Sequence, residues 1–221
     1  MHRALRCLPV LAVGLACCLA FPREVAARGW HVDVHHGDDS GPGTADAPLL
    51  TPQRAVDRAQ PGDVIQLGPE GAVARAMISL RGKHDLVIDG HGVTLSGADP
   101  LPKDGWEALG DGLFRRPMEI RPIGRMSRHL LIVDGRAQRM GRSPSARPEF
   151  PKPEALEAGQ FSWQATEGNE GWLYVRGATA GLEWSVRPAG LATSGKNRNI
   201  TVRNLNARHA LRLVEEFDAY V

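Results

Sequence analysis

The chain alternates short apolar runs with turns from residue 30 onward. Trp30-His31-Val32-Asp33-Val34 is apolar at every second position, which predicts a half-buried strand. Val64-Ile65-Gln66-Leu67, Met77-Ile78-Ser79-Leu80, Leu86-Val87-Ile88-Asp89 and Val93-Thr94-Leu95 read as four more strands. Each is closed by turn residues: Gly68-Pro69, Arg81-Gly82, Gly90 and Ser96-Gly97. One helix interrupts them early. Thr51 is its N-cap and Pro52 its first residue, Ala55, Val56 and Ala59 share a face, and Pro61-Gly62-Asp63 stops it. No helix separates the later strands, so a doubly wound sheet is excluded. Val64 and Leu86 begin equivalent strands 22 residues apart, a spacing found in repeat architectures.

After Gly97 the rhythm breaks. Residues 98–190 hold four of the five Trp (106, 163, 172, 184) and nine of the 16 Pro, with strand candidates at Leu130–Asp134, Trp172–Val175 and Leu182–Val186. Their irregular spacing predicts an inserted, small antiparallel β subdomain. The earlier rhythm returns in Asn199-Ile200-Thr201-Val202-Arg203-Asn204-Leu205, within a last segment 191–221.

Residues 1–27 read as a secretory signal peptide. His2, Arg3 and Arg6 make a basic start, Cys7–Phe21 is an apolar run, and Val25-Ala26-Ala27 supplies small residues for cleavage. The run is short for a membrane span, which needs about 20 residues. A lipoprotein reading is weaker: a lipobox wants Leu three before the Cys and a small residue just before it. Cys17 follows Gly14 and Ala16; Cys18 follows Leu15 but also Cys17.

The leader changes the chemistry of what remains. The whole chain has 27 Lys+Arg and 25 Asp+Glu. Arg3, Arg6, Arg23 and Glu24 leave with the leader, so the mature chain has 24 of each. No basic tract remains to suggest nucleic acid. All three Cys also leave, so the mature chain has neither disulfide nor thiolate chemistry. The 25 Gly and 16 Pro of the whole chain favour a turn-rich, all-β protein over a helix bundle.

Residues 30–95 resemble the N-terminal start of right-handed parallel β-helix proteins, the pectate-lyase-like superfamily. The likeness rests on the first strand, the loop Gly37-Asp38-Asp39-Ser40-Gly41-Pro42-Gly43-Thr44, the capping helix Thr51–Ala59, Pro61-Gly62-Asp63-Val64-Ile65 and Leu86-Val87-Ile88-Asp89-Gly90. The strand at 199–205 resembles a later coil. The middle, with Val133-Asp134-Gly135 and Gly171-Trp172-Leu173-Tyr174, resembles the insertion of some β-helix glycan-active enzymes. The expected organisation is leader 1–27, cap and first coils 28–97, insertion 98–190, and an incomplete return 191–221. The resemblance implies more coils than this chain can form, so a C-terminally truncated protein is expected. It further implies an exported or periplasmic polysaccharide lyase or glycoside hydrolase, with catalytic coils beyond residue 221. The partner would be a polysaccharide, an acidic one included, and the full-length form a monomer. This chain alone is expected to be inactive. The alternative is a non-catalytic β-helix module for carbohydrate binding or surface attachment.

The residues themselves name no catalytic group. Asp33, His35, His36, Asp38 and Asp39 could bind a cation, yet Asp and Gly also build tight turns, and the turn reading is preferred. Asp89 and Asp134 each precede Gly after an aliphatic run; they could form the carboxylate pair of a glycosidase, or mark turns. Lyases of the resembled fold use Lys or Arg as base, often with calcium held by acids. Here Lys is confined to Lys83, Lys103, Lys152 and Lys196, while Arg136, Arg139 and Arg142 form a short basic run read as a solvated face. Calcium enters only through a full-length lyase; no other cofactor or metal site is evident. His209 is placed near a groove, and Glu215, Glu216 and Asp218 match no motif. The Trp residues of the insertion could stack on sugar rings but are read as its core.

Overall fold

The structure, a computed structural model, describes residues 26–119, 129–138, 153–166, 170–210 and 212–217. The leader reading at 1–25, Arg139, Arg142, Lys152 and Asp218 lie outside the described residues. Among the described residues no helix is long and apolar enough to cross a membrane.

The chain is mostly β. β1 (Gly29–Asp33) leads to α1 (Pro52–Arg58), then β2 (Val64–Gly68), β3 (Val73–Ala74), β4 (Ile78–Ser79), β5 (His84–Asp89) and β6 (Thr94–Ser96). Next come β7 (Ala98–Pro100), β8 (Glu107–Gly110), β9 (Leu113–Glu119), β10 (Leu131–Val133), β11 (Arg136–Ala137), β12 (Phe161–Ala165), β13 (Glu170–Arg176) and β14 (Leu182–Ser185). β15 (Ala189–Ser194), β16 (Arg198–Arg203), β17 (Asn206–Arg208) and β18 (Arg212–Phe217) complete the set.

Three parallel sheets share the outer elements: β1-β2-β5-β16, β3-β6-β17 and β4-β15-β18. From β2 the chain visits the first, second and third sheet in turn and then returns to the first beside its own earlier strand. Val64 lies opposite Val87, and Val87 opposite Thr201. Equivalent positions are thus 23 residues apart, which corrects the pairing of Val64 with Leu86. The turn, not the first apolar residue, sets the register. Gly62, Asp85 and Asn199 stand two residues before these positions, and all three have positive φ (95°, 53° and 49°). The Gly62 N–H donates to the Asp85 carbonyl, and Asn199 Nδ2 to Asp85 Oδ1 at 2.7 Å.

This register stacks like on like. Trp30, Ile65, Ile88 and Val202 form one inward ladder of the first sheet. Ile65 and Ile88 are fully buried, each contributing about 1.5–3 kcal/mol relative to exposure. Ala74, Leu95 and Ala207 do the same in the second sheet, alternating small and large.

α1 closes the N-terminal end. Thr51 Oγ1 accepts from the Arg54 N–H, and Pro52, Ala55 and Val56 are buried under the helix. Lys83 Nζ donates to the carbonyls of Asp57 and Ala59, holding the helix end. Ala55, Val56 and Ala59 join Val32, Ile65 and Leu80 in one buried cluster.

The strands β7–β14 rise from one corner, between β6 and β15. They form two antiparallel sheets, β11-β10-β14-β7 and β12-β13-β9-β8. Leu131, Phe161, Leu173, Val175, Leu182 and Trp184 are buried together between them. Trp106 and Trp163 pack against this cluster, and Trp172 against a smaller one of Leu113, Leu156 and Tyr174. The core reading of these Trp residues agrees with that packing.

Candidate functional site

The corner joining the first sheet to the second changes length at each pass. Six residues, 67–72, connect Gln66 to Val73; four, 90–93, connect Asp89 to Thr94; two, 204–205, connect Arg203 to Asn206. Stacked corners of falling length make a staircase. Its step is a recess of about 650 Å³ lined by Glu70, His91, Gly92, Asn204, Leu205 and Asn206.

The floor of the recess is held by Asp89. This residue is 6% exposed, although its register position is on the outward side of β5. Asp89 Oδ2 accepts from Arg203 Nε at 2.8 Å, and Oδ1 accepts from Asn204 Nδ2 at 3.1 Å and the His91 N–H at 3.2 Å. The Asn204 amide, with the His91 N–H and Arg203, holds the Asp89 carboxyl below the usual carboxylate range against the opposing effect of burial. Gly90 has to be glycine: a Cβ there would lie 2.5 Å from the Asn204 carbonyl oxygen. His91 adopts φ 45° and Asn204 φ 53°, the left-handed region that Asn tolerates and His rarely enters. The His91 ring stands 3.7 Å from Asp89 Oδ1 and remains about half exposed (49%). Asn206 Nδ2 donates to the Gly92 carbonyl at 3.2 Å.

The other sequence candidates fall elsewhere. Asp33 Oδ1 accepts from the N–H groups of His35 and His36 at 2.8 and 3.0 Å, which lowers its carboxyl pKa. Asp38 binds Ser40, and Asp39 binds the Leu50 and Thr51 N–H groups and the Thr51 hydroxyl. These acids brace their own loop. Among the described residues no three His, Cys, Asp or Glu side chains gather as a metal site. Asp134 is an exposed turn residue at φ 47°, followed by Gly135 at φ 75°, between β10 and β11. Asp89 instead ties β5 to Arg203 and Asn204 at the end of β16, so the two aliphatic-Asp-Gly segments serve different purposes. Arg136, Lys103 and Lys196 are exposed. His209, at φ 58°, donates from Nε2 to the Gly135 carbonyl, 3.1 Å away, and so touches the β10–β11 turn. Glu215 and Glu216 lie on β18, opposite Ala192 and Thr193.

Sequence reasoning missed the recess, because its signal is a difference between corners and not a motif. Aligning the three strands on Gly62, Asp85 and Asn199 would have exposed it. It also missed Glu119 and Glu170, which face each other across β9 and β13. They border a second recess of about 560 Å³ beside Trp172.

Three parallel sheets with an antiparallel unit grown from one corner make up the described fold. A structure described as the complex of XylC with xylose is similar to this chain with TM-score 0.62 and 18% identity, over 82% of this chain and 35% of that one. A second, described as a glycoside hydrolase, has TM-score 0.48 and 14% identity, over 83% of this chain and 51% of that one. The chain therefore spans about a third and about half of the two structures. At these identities the likeness is one of fold. No family model matches the sequence, and none of the curated proteins matches it.

Proposed function

We propose that the chain is the N-terminal part of an exported, carbohydrate-active protein with a right-handed parallel β-helix, a polysaccharide lyase or glycoside hydrolase whose reacting groups stand on further coils. The observation that carries the reading is the open edge common to all three parallel sheets. β16, β17 and β18 end the three sheets, and each has one side without a partner among the described residues. Such edges demand another strand or a cap. The likeness to the XylC complex supports the reading, since that protein was solved with a sugar and is longer. Cleavage after Ala27 and export belong to the same proposal and rest on the leader pattern.

The test is the product. The protein expressed from its complete reading frame is incubated with neutral polysaccharides and with uronic acid polymers, with and without calcium. Unsaturated ends identify a lyase and new reducing ends without unsaturation a hydrolase. Binding to polymer without any product selects the non-catalytic module instead, and neither binding nor product overturns the carbohydrate reading.

A further inference from the structure

We propose that leader cleavage leaves the α-ammonium of Arg28 in an ion pair with the buried Asp63 carboxylate, so that processing itself stabilises the fold. The proposal rests on the reading that the cut falls after Ala27, and gives that cut a structural consequence.

Ala26 and Ala27 are exposed and lie outside any strand, and β1 begins at Gly29. Arg28 is thus the last residue before the first sheet, and it is already fixed in place. Its carbonyl accepts from the Val64 N–H at 2.9 Å, and its nitrogen donates to Asp63 Oδ1 at 2.8 Å. The register that pairs Gly29 with Val64 therefore holds the first nitrogen of a chain cut after Ala27 against a carboxylate.

That carboxylate gains from a cation in contact, because it is almost fully buried. Its donors among the described residues are uncharged: Trp30 Nε1 and the Gln60 N–H on Oδ2, and the Arg28 N–H on Oδ1. Oδ2 accepts two bonds and Oδ1 one, so the oxygen beside the Arg28 nitrogen has capacity left for a second proton. The Arg28 guanidinium also attracts Asp63, but it is engaged elsewhere. It lies 3.8 Å over the Trp30 ring and donates to the Pro42 carbonyl.

Hydrolysis supplies the contact charge. The oxygen of water bonds to the Ala27 carbonyl carbon as the C–N bond to Arg28 breaks, and both of its protons pass to the Arg28 nitrogen. Ala27 leaves as a carboxylate. The Arg28 nitrogen is an ammonium at neutral pH, since the ordinary α-amino pKa is about 7.7–8.0. An amide donor thus becomes a cationic one on the same oxygen, and charge-assisted bonds are about twice as strong as neutral ones. The unprocessed chain lacks this gain, so its first strand opens more readily.

The experiment compares three forms of the protein expressed from its complete reading frame. One begins at Arg28, one is that form acetylated at its α-nitrogen alone, and one begins at Ala26. The acetylated form keeps an N–H and loses the charge. The Ala26 form keeps a charged terminus but moves it two residues away from Asp63. Hydrogen exchange of the β1 amides at pH 6 should be about fivefold slower in the Arg28 form than in either of the others. In an Asp63→Asn background the three forms should exchange alike; if that variant fails to fold, the comparison of the three unaltered forms still decides. Equal exchange in the Arg28 and Ala26 forms overturns the proposal and leaves the cleavage reading standing. Equal exchange in the Arg28 and acetylated forms also overturns it, because the N–H and not the charge would then make the contact. An exported protein whose intact mass begins at another residue removes the cleavage reading, and the proposal with it.

Discussion

Asp63 links the first strand, the helix end and the second strand through one buried carboxylate, and its removal should loosen the N-terminal strands. It is 3% exposed and accepts three hydrogen bonds, each 2.8 Å: from the Arg28 N–H, from Trp30 Nε1 and from the Gln60 N–H. Asp63→Ala orphans all three donors. The Trp30 indole is buried, so its loss is worth about 2 kcal/mol, while Arg28 and Gln60 are exposed residues whose N–H groups partly rehydrate, about 1 kcal/mol each. The total is about 4 kcal/mol, a large share of a typical domain stability of about 5–15 kcal/mol. With a urea slope of about 2 kcal/mol per M, the midpoint should fall by about 2 M. A double-mutant cycle with Trp30→Phe should show coupling of about 1–2 kcal/mol, because that variant removes one of the same bonds. The pH dependence has a defined sign. Burial pushes the Asp63 carboxyl up, but the bonds from Gln60, Trp30 and Arg28 outweigh it, leaving the folded pKa below its ordinary 3.8. A depressed folded pKa means that this stability is fully present above pH 3.8 and is lost as pH falls through the folded value. An Asp63→Ala midpoint within about 0.3 M of the unaltered chain, with equal slopes, would refute the reasoning.

Three other outcomes are expected. Gly97→Ala places a Cβ 2.3 Å from Ala210 Cα, backbone that cannot rotate aside, and should cost about 1–3 kcal/mol in urea denaturation; Gly82→Ala, with open space but φ 73°, should cost only about 1 kcal/mol. Asp85 and Asp89 both have lowered carboxyl pKa values, from Asn199 and His84 in one case and chiefly from Asn204 in the other, so hydrogen exchange at 198–208 should stay slow at pH 6 and speed up as pH falls below 3.8; equal corrected protection at pH 3 counts against this. The intact mass of the exported protein should begin at Arg28, and a mature chain that still carries Cys7, Cys17 and Cys18 would defeat the leader reading.

The elements that were legible before the structure are those whose signal is local. Thr51-Pro52 marks the start of α1, and Gly68, Gly82, Gly90 and Gly97 mark strand ends, because capping and turn geometry depend on neighbouring residues. β8 and β9 were not read from the sequence. Leu113-Phe114-Arg115-Arg116-Pro117 carries no clean alternation, and its pairing with β13 is fixed by contacts some sixty residues away. The candidate site was less legible still. Asp89 was visible as Asp-Gly, the commonest of turn signals, and its partners Arg203 and Asn204 lie more than a hundred residues further on. The recess depends on three corner lengths compared in register, and the register is a product of folding. A residue that anchors two parallel strands therefore looks, along the chain, like one that merely ends a strand.

The same logic explains how the parallel sheets tolerate the growth of β7–β14 from one corner. Loop closure grows only slowly in cost with length, but the returning chain must meet β4 in register. The neck supplies that precision. β7 and β14 pair antiparallel through Ala98 opposite Ser185 and Asp99 opposite Trp184. The Gly97 carbonyl accepts from both the Val186 and Arg187 N–H groups, at 2.8 and 3.0 Å. Arg187 then closes on Asp99 with two bonds of 2.8 and 3.3 Å. Departure and return are thus hydrogen-bonded neighbours, and the parallel sheets experience them much as they would a tight turn. β15 consequently lands with Leu191 opposite Ile78, and β16 follows in step with β5. The antiparallel unit can vary in size without disturbing the parallel sheets, provided that Gly97, Asp99 and Arg187 keep the neck shut.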